Sequence, residues 1–210
     1  MKLAVLFPGI GYTCDKPLLY YAEKLALAYG YEVKCVVYGN FPSGVKGDRE
    51  KMKAAFESAF AQTEEILMDV NFGKYEDILF ISKSVGTVVA ACYRQKYHIA
   101  CRSISFTPLA ETFAFIESVS VESTSRECAS AGDTLCGTQG IMFHGTSDPW
   151  VQDSSVIREG CERIGQPLYI TENGNHSLET GDVAQDIANL LKIMRQVEAY
   201  IKAGIKEERL

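Results

Sequence analysis

The chain has 210 residues, 47% of them hydrophobic and 23% charged, with a formal net charge of -6. That composition suits one ordinary globular domain over residues 1–210, with enough chain to bury a core. The acidic balance and scattered Lys and Arg exclude a basic nucleic-acid surface, and no apolar run is long enough to span a membrane.

Residues 2–7 form an apolar run that breaks at Pro8-Gly9-Ile10-Gly11, the pattern of a buried strand and a tight loop. Helical spacing follows from Pro17 to Tyr29, with Leu18, Tyr21, Leu25 and Ala28 on one stripe and Gly30 as the stop. A strand is expected over 32–38. A long amphipathic helix follows over 48–70, with Met52, Phe56, Phe60, Ile66 and Leu67 at helical intervals. Ile78 to Ile81 is a second buried strand, followed by a turn and a helix that runs to Tyr97. Strands at 101–106, 139–144 and 167–171 alternate with helices at 152–164 and from Asp182 to Ala203. The stretch 111–137 is mixed in character. Strands alternating with helices predict a three-layer α/β/α sandwich around a mostly parallel sheet.

The turn after Ile81 carries the most information. It reads Ser82-x-Ser84-x-Gly86 between strand and helix. A hydroxyl on such a strained turn is a nucleophile elbow, whose usual form is G-x-S-x-G. Serine is small enough to replace the first glycine. A second strand ends in His144-Gly145-Thr146-Ser147-Asp148, and the last is followed by Gly174-Asn175-His176-Ser177. Ser84, Asp148 and His176 therefore each follow a strand, in the chain order nucleophile, acid, histidine.

These segments resemble the α/β-hydrolases, in particular small dienelactone-hydrolase-like or minimal esterases, from Phe7 to His176. The resemblance implies six strands in the order 2-1-3-4-5-6, with the family's two leading strands absent. It also implies no large cap, only a small lid or flap within 109–137. Ser84 would be the nucleophile, His176 its base, and Asp148 the partner that orients the imidazole. The oxyanion would be held by the backbone N–H of Val85 and by that of Ile10, with Gly11 as competitor, because Pro8-Gly9 aligns with the His-Gly that opens this loop in esterases. Tyr12, Pro108, Leu109, Phe113 and Trp150 follow strand ends, as pocket walls do, although each could equally be core.

The implied activity is hydrolysis of a carboxylic ester or thioester of small to medium acyl size, without cofactor or metal. A small-amide or peptide hydrolase would use the same three residues. A non-catalytic ligand- or partner-binding protein on a hydrolase fold is the reading from another class. Lys83 beside Ser84 suggests a Ser-Lys dyad, but neighbouring elbow residues point different ways. Gly9-x-Gly11 lacks the third glycine of a dinucleotide loop. Seven cysteines at irregular spacing, with no C-x-x-C and no secretory core, suit a cytoplasmic protein with reduced thiols, of which Cys35, Cys92 and Cys101 are expected to be buried. Oligomeric state is not legible.

Overall fold

The computed structural model describes residues 1–41, 44–45, 48–123, 139–151 and 153–204, with the side chains of 118–123 excepted. Six strands, β1 (Lys2–Phe7), β2 (Tyr31–Cys35), β3 (Asp77–Lys83), β4 (Arg102–Phe106), β5 (Gly140–Gly145) and β6 (Leu168–Thr171), form one sheet. Their order is β2-β1-β3-β4-β5-β6, and every pairing is parallel. The helices are α1 (Pro17–Ala28), α2 (Arg49–Leu67), α3 (Val85–Lys96), α4 (Glu111–Ser123), α5 (Ser155–Arg163) and α6 (Val183–Ala203).

Period-two alternation splits the strands between two cores. Ala4, Leu6, Leu79, Ile81, Ile104, Phe106, Ile141 and Phe143 face α1 and α6. Leu3, Val5, Phe7, Ile78 and Phe80 face α2 and α3 on the other side. Because both faces are covered, the strands read as continuous apolar runs.

The faces that helices present differ from the expected stripes. On α1 the buried residues are Leu18, Leu19, Ala22 and Ala26, while Tyr21 is 46% exposed. On α2 they are Ala55, Ala59, Thr63 and Leu67, with Phe56 and Phe60 only partly buried beside them. Alanines allow a helix axis to approach the sheet closely, and the large residues fill the flanks. β2 stops at Cys35, short of the expected Tyr38, because an edge strand has only β1 to pair with and β1 breaks at Pro8. Helix ends follow local chemistry: Asp48 caps α2 through the Lys51 amide, and Asp182 caps α6 through the Gln185 amide.

Part of the expected lid is a helix packed on the body. Residues 111–123 are α4, joined to α3 by a 2.7 Å hydrogen bond between the Thr112 and Thr87 hydroxyls. The rest of 109–137 lies outside the described residues. Cys35, Cys92 and Cys101 are half-buried rather than buried; among the described thiols Cys161 is the buried one. No described helix is long and apolar enough to cross a membrane.

Sheet register is what builds the site. Phe7 pairs with Ser82, Lys83 with Phe106, Phe106 with Phe143, and Gly145 with Thr171. Because the strands are parallel, the loops after β1, β3, β5 and β6 all rise from one edge, with β1 ending one residue short of the level of Lys83 and β5 and β6 two residues beyond it.

Candidate active site

Ser84 sits at φ 56° and ψ -127°, a conformation that a residue with a Cβ rarely adopts. The surrounding packing holds it there. A Cβ on Gly86 would lie 2.2 Å from the Phe7 carbonyl oxygen, so only glycine lets α3 pass the end of β1. The substituted position, Ser82, is 1% exposed, and its hydroxyl reaches the Ile104 carbonyl and the Ser105 hydroxyl, each at 3.3 Å. The serine thus fits between strands with its polar atom satisfied.

His176 comes from a loop built by its neighbours. Asn175 accepts hydrogen bonds from the amides of Ser177 (2.7 Å) and Glu179 (3.2 Å), while its own amide donates to the Glu179 carbonyl. Leu178, 3% exposed, pins the loop to the core. The loop also rests on the end of β5: the Ser147 amide donates to the Gly174 carbonyl, and a Cβ on Gly145 would strike that same oxygen. Neither Asn175 nor Leu178 stood out in the sequence. The signal for Asn175 was a polar residue able to close a turn on itself.

These elements bring three side chains into line. His176 Nε2 lies 2.8 Å from Ser84 Oγ, and His176 Nδ1 lies 2.7 and 2.9 Å from the two carboxylate oxygens of Asp148. Asp148 is 4% exposed and also accepts from the Trp150 amide at 2.9 Å. Burial alone would raise its pKa, but the hydrogen bond and charge of His176, the Trp150 amide and His144 hold it below the ordinary carboxylate value. With a carboxylate at Nδ1, the neutral imidazole carries its proton there and presents Nε2 to the serine as an acceptor. His144 is a packed residue: its side chain is fully buried, its Nε2 meets the Ser154 hydroxyl at 3.0 Å, and burial lowers its pKa.

The loop after β1 closes over the elbow. Gly9 and Tyr12 bond to each other's backbone, leaving Ile10 and Gly11 at the tip. A Cβ on Gly9 would lie 3.0 Å from that of Ser84. Val85 is the first residue of α3, so its N–H has no carbonyl of the helix to meet.

The expected wall residues separate into different places. Leu109 and Trp150 join Ile10, Val85 and Val88 in an apolar cluster beside Ser84, with Phe56 of α2 and Phe115 of α4 against it. The Trp150 ring lies 5.5 Å from that of His176. Phe113 is not a wall: it is 2% exposed, packed with Met142, Ile157 and Cys161 under Gly160, whose missing Cβ makes room for its ring. Pro108 is buried. Tyr12 turns toward the opposite core, where its hydroxyl accepts from the Leu18 amide. Val88, Phe56 and Phe115 were not anticipated at the site, since each lies on a helix stripe that reads as core. Arg102 is at the far edge of the sheet, paired with Asp77 at 2.8 Å. A cleft of ≈ 670 Å³ also opens at that far edge, between the starts of β5 and β6 and α6, away from Ser84.

No family model matches the chain, and no curated protein does. Solved structures do. A Butyrivibrio proteoclasticus protein, Est1E with ferulic acid bound, superposes with a TM-score of 0.61 at 11% identity, covering 97% of this chain and 89% of that one. The mouse alpha/beta hydrolase domain-containing protein 10 gives 0.61 at 12% identity, covering 95% and 89%. A Bacillus cereus carboxylesterase gives 0.53 at 19% identity, covering 96% and 88%. The chain has the α/β-hydrolase fold. In such an open parallel sheet, ligands bind beyond the carboxyl ends of the strands, which is the edge where Ser84, His176 and Asp148 meet. Among the described residues no cluster of His, Cys, Asp and Glu is arranged to hold a metal.

Proposed function

We propose that this protein is a serine hydrolase that cleaves a carboxylic ester or thioester of a small to medium acyl group. The observation that carries the reading is the unbroken line from Ser84 Oγ through the His176 ring to the Asp148 carboxylate, with gaps of 2.8 and 2.7 Å. A serine hydroxyl is a weak nucleophile, and a base within hydrogen-bond reach is what activates it.

Ser84 Oγ attacks the acyl carbonyl carbon while its proton passes to His176 Nε2. Asp148 stabilises the resulting imidazolium and keeps the ring in the productive orientation. The N–H of Val85 and that of Ile10 or Gly11 would receive the oxyanion, each donor contributing roughly 100- to 1000-fold to turnover. Collapse of the tetrahedral species breaks the bond to the alcohol or thiol, which leaves with the proton from His176. Water, deprotonated by the same imidazole, then attacks the acyl-enzyme and frees the acid and Ser84.

An apolar acyl group fits the surroundings. The cluster around Ile10, Val88, Leu109 and Trp150 offers hydrophobic contact beside the nucleophile. That the neighbours of this fold include a carboxylesterase supports esters first.

The deciding experiment is intact mass after incubation with a fluorophosphonate, for wild type and Ser84→Ala. One adduct on wild type alone is expected. Absence of an adduct on folded wild type would overturn the reading.

A further inference from the structure

Lys83 immediately precedes Ser84, yet its side chain enters the protein interior and is 0% exposed. Its ammonium donates to the Thr107 hydroxyl at 2.6 Å. Thr107 in turn donates to the backbone carbonyl of His176 at 3.3 Å. On another side the ammonium lies 4.9 Å from the centre of the Tyr12 ring. Tyr12 closes the loop over the elbow through its bridge to Gly9 and receives the Leu18 amide on its hydroxyl. One buried cation thus touches the elbow strand, the end of β4 and the β1 loop directly, and the histidine loop through a single hydroxyl.

Such a group is costly. A buried ammonium loses hydration worth several kcal/mol, and among the described residues no carboxylate is within ion-pair distance to repay it. A methionine would fill the same space without that cost. The carboxylate whose charge acts on it is Asp148, which holds His176.

We propose that Lys83 is a positioning residue of the active site: its ammonium ties the β1 loop and the histidine loop to the elbow, and its charge favours the neutral form of the His176 imidazole. The inference rests on the hydrolase reading for its meaning, though not for its first readout. A cation joined to His176 through the Thr107 hydroxyl, and acted on by the Asp148 charge, opposes a second positive charge on the imidazole, so the base stays free to accept the serine proton at lower pH. Among the described residues, these other groups face the pair. His176 meets Asp148, the Ser84 hydroxyl and the Trp150 ring. His144 stands 4.0 Å behind Asp148, with Arg158 acting on it. Tyr12 faces Lys83, with Glu179 acting on the phenol, which burial pushes up to about 12 and so keeps neutral. Burial brings Lys83 itself down to about 7 against the pull of Asp148. It therefore carries its charge below neutrality, in the range where an ordinary imidazole, near 6.5, titrates.

The test uses wild type, Lys83→Met and Lys83→Gln, each checked by thermal melting. Methionine removes both charge and tie. Glutamine removes the charge and keeps a donor, and it serves if the first variant fails to fold. The chain has three histidines, and His176→Ala identifies the His176 resonances, so its imidazole titration can be followed by NMR. The midpoint should rise in both variants by about half to one pH unit, and fluorophosphonate labelling below pH 6.5 should slow roughly three- to tenfold. A purely structural lysine would lower labelling equally at all pH and leave the midpoint unmoved, which would overturn the proposal. A wild type that never labels, together with a raised midpoint in the variants, would overturn the hydrolase reading and leave the role of Lys83 standing. A wild type that labels, with midpoint and pH profile unchanged in the variants, would do the reverse.

Discussion

The α-hydrogen face of Gly86 rests on the carbonyl oxygen of Phe7, where an added Cβ would come within 2.2 Å. Pro8, next along, would be met at 2.5 Å. Both obstacles are backbone atoms of a buried strand end and cannot swing aside. Gly86→Ala must therefore push α3 away from β1 and relax the Ser84 turn. Loss of about 2–4 kcal/mol is expected, a fall of roughly 5–15 °C in Tm for a chain of this size. Labelling of Ser84 should fall with it even below the melting range. Thermal melts and probe labelling on the same samples check both.

Asp148→Asn keeps the shape of the carboxylate but can present an N–H to His176, favouring the tautomer with its proton on Nε2. That atom then has no lone pair for Ser84. Turnover of an activated ester should drop by about four orders of magnitude while the fold survives. Initial rates with a chromogenic ester, beside a circular dichroism spectrum, measure it.

Stability should depend on pH through Lys83. Its pKa is lowered from 10.5 to about 7 in the folded chain by burial. Between those values the unfolded chain binds the extra proton, so stability rises with pH across that interval and is lower on its acid side. The contribution is on the order of a few kcal/mol between pH 7 and 10. Chemical denaturation at a series of pH values should show the rise in wild type. Lys83→Met should lack it and be the more stable protein at pH 6.

Asp148 shifts in the other sense. Its lowered pKa contributes stability that is present above the ordinary carboxylate range and lost as pH falls through the folded value. Wild type should therefore lose stability below about pH 4 more steeply than Asp148→Asn. The same denaturation series, extended to pH 2.5, measures the difference.

Leu109 should act on the acyl group rather than on the chemistry. Leu109→Ala removes apolar surface beside Ser84 without touching the three reacting side chains, whereas Trp150→Ala also removes the ring 5.5 Å from that of His176. KM for esters with longer acyl chains should rise roughly 5- to 20-fold in both, from about 1–2 kcal/mol of lost contact. kcat for acetyl esters should change little in Leu109→Ala and fall in Trp150→Ala. A chain-length series of p-nitrophenyl esters separates the two effects. Phe113→Leu, by contrast, should lower Tm and leave that series unchanged, because Phe113 belongs to the core under Gly160.

Much of this was legible in the chain itself. Buried parallel strands need apolar residues on both faces, so each wrote a continuous run into the sequence, and the helices between them repeat at 3.6. A turn that forces serine to positive φ needs small neighbours, which left Ser82 and Gly86 as its signature. The elbow, the places of the three residues just after strands and their chain order together named Ser84, Asp148 and His176 as the residues to watch. What the sequence could not carry was depth and direction. Phe113 and Leu109 both follow the fourth strand, yet one enters the core and the other borders the serine, because the turn into α4 sends them to different faces. Lys83 suggested only a dyad with Ser84 that the elbow geometry argued against; strand register placed it level with Phe106, with its ammonium against Thr107, beneath His176. Local pattern is set by neighbours a few residues away. Burial and charge environment are set by groups tens of residues distant, and only packing decides which of them meet.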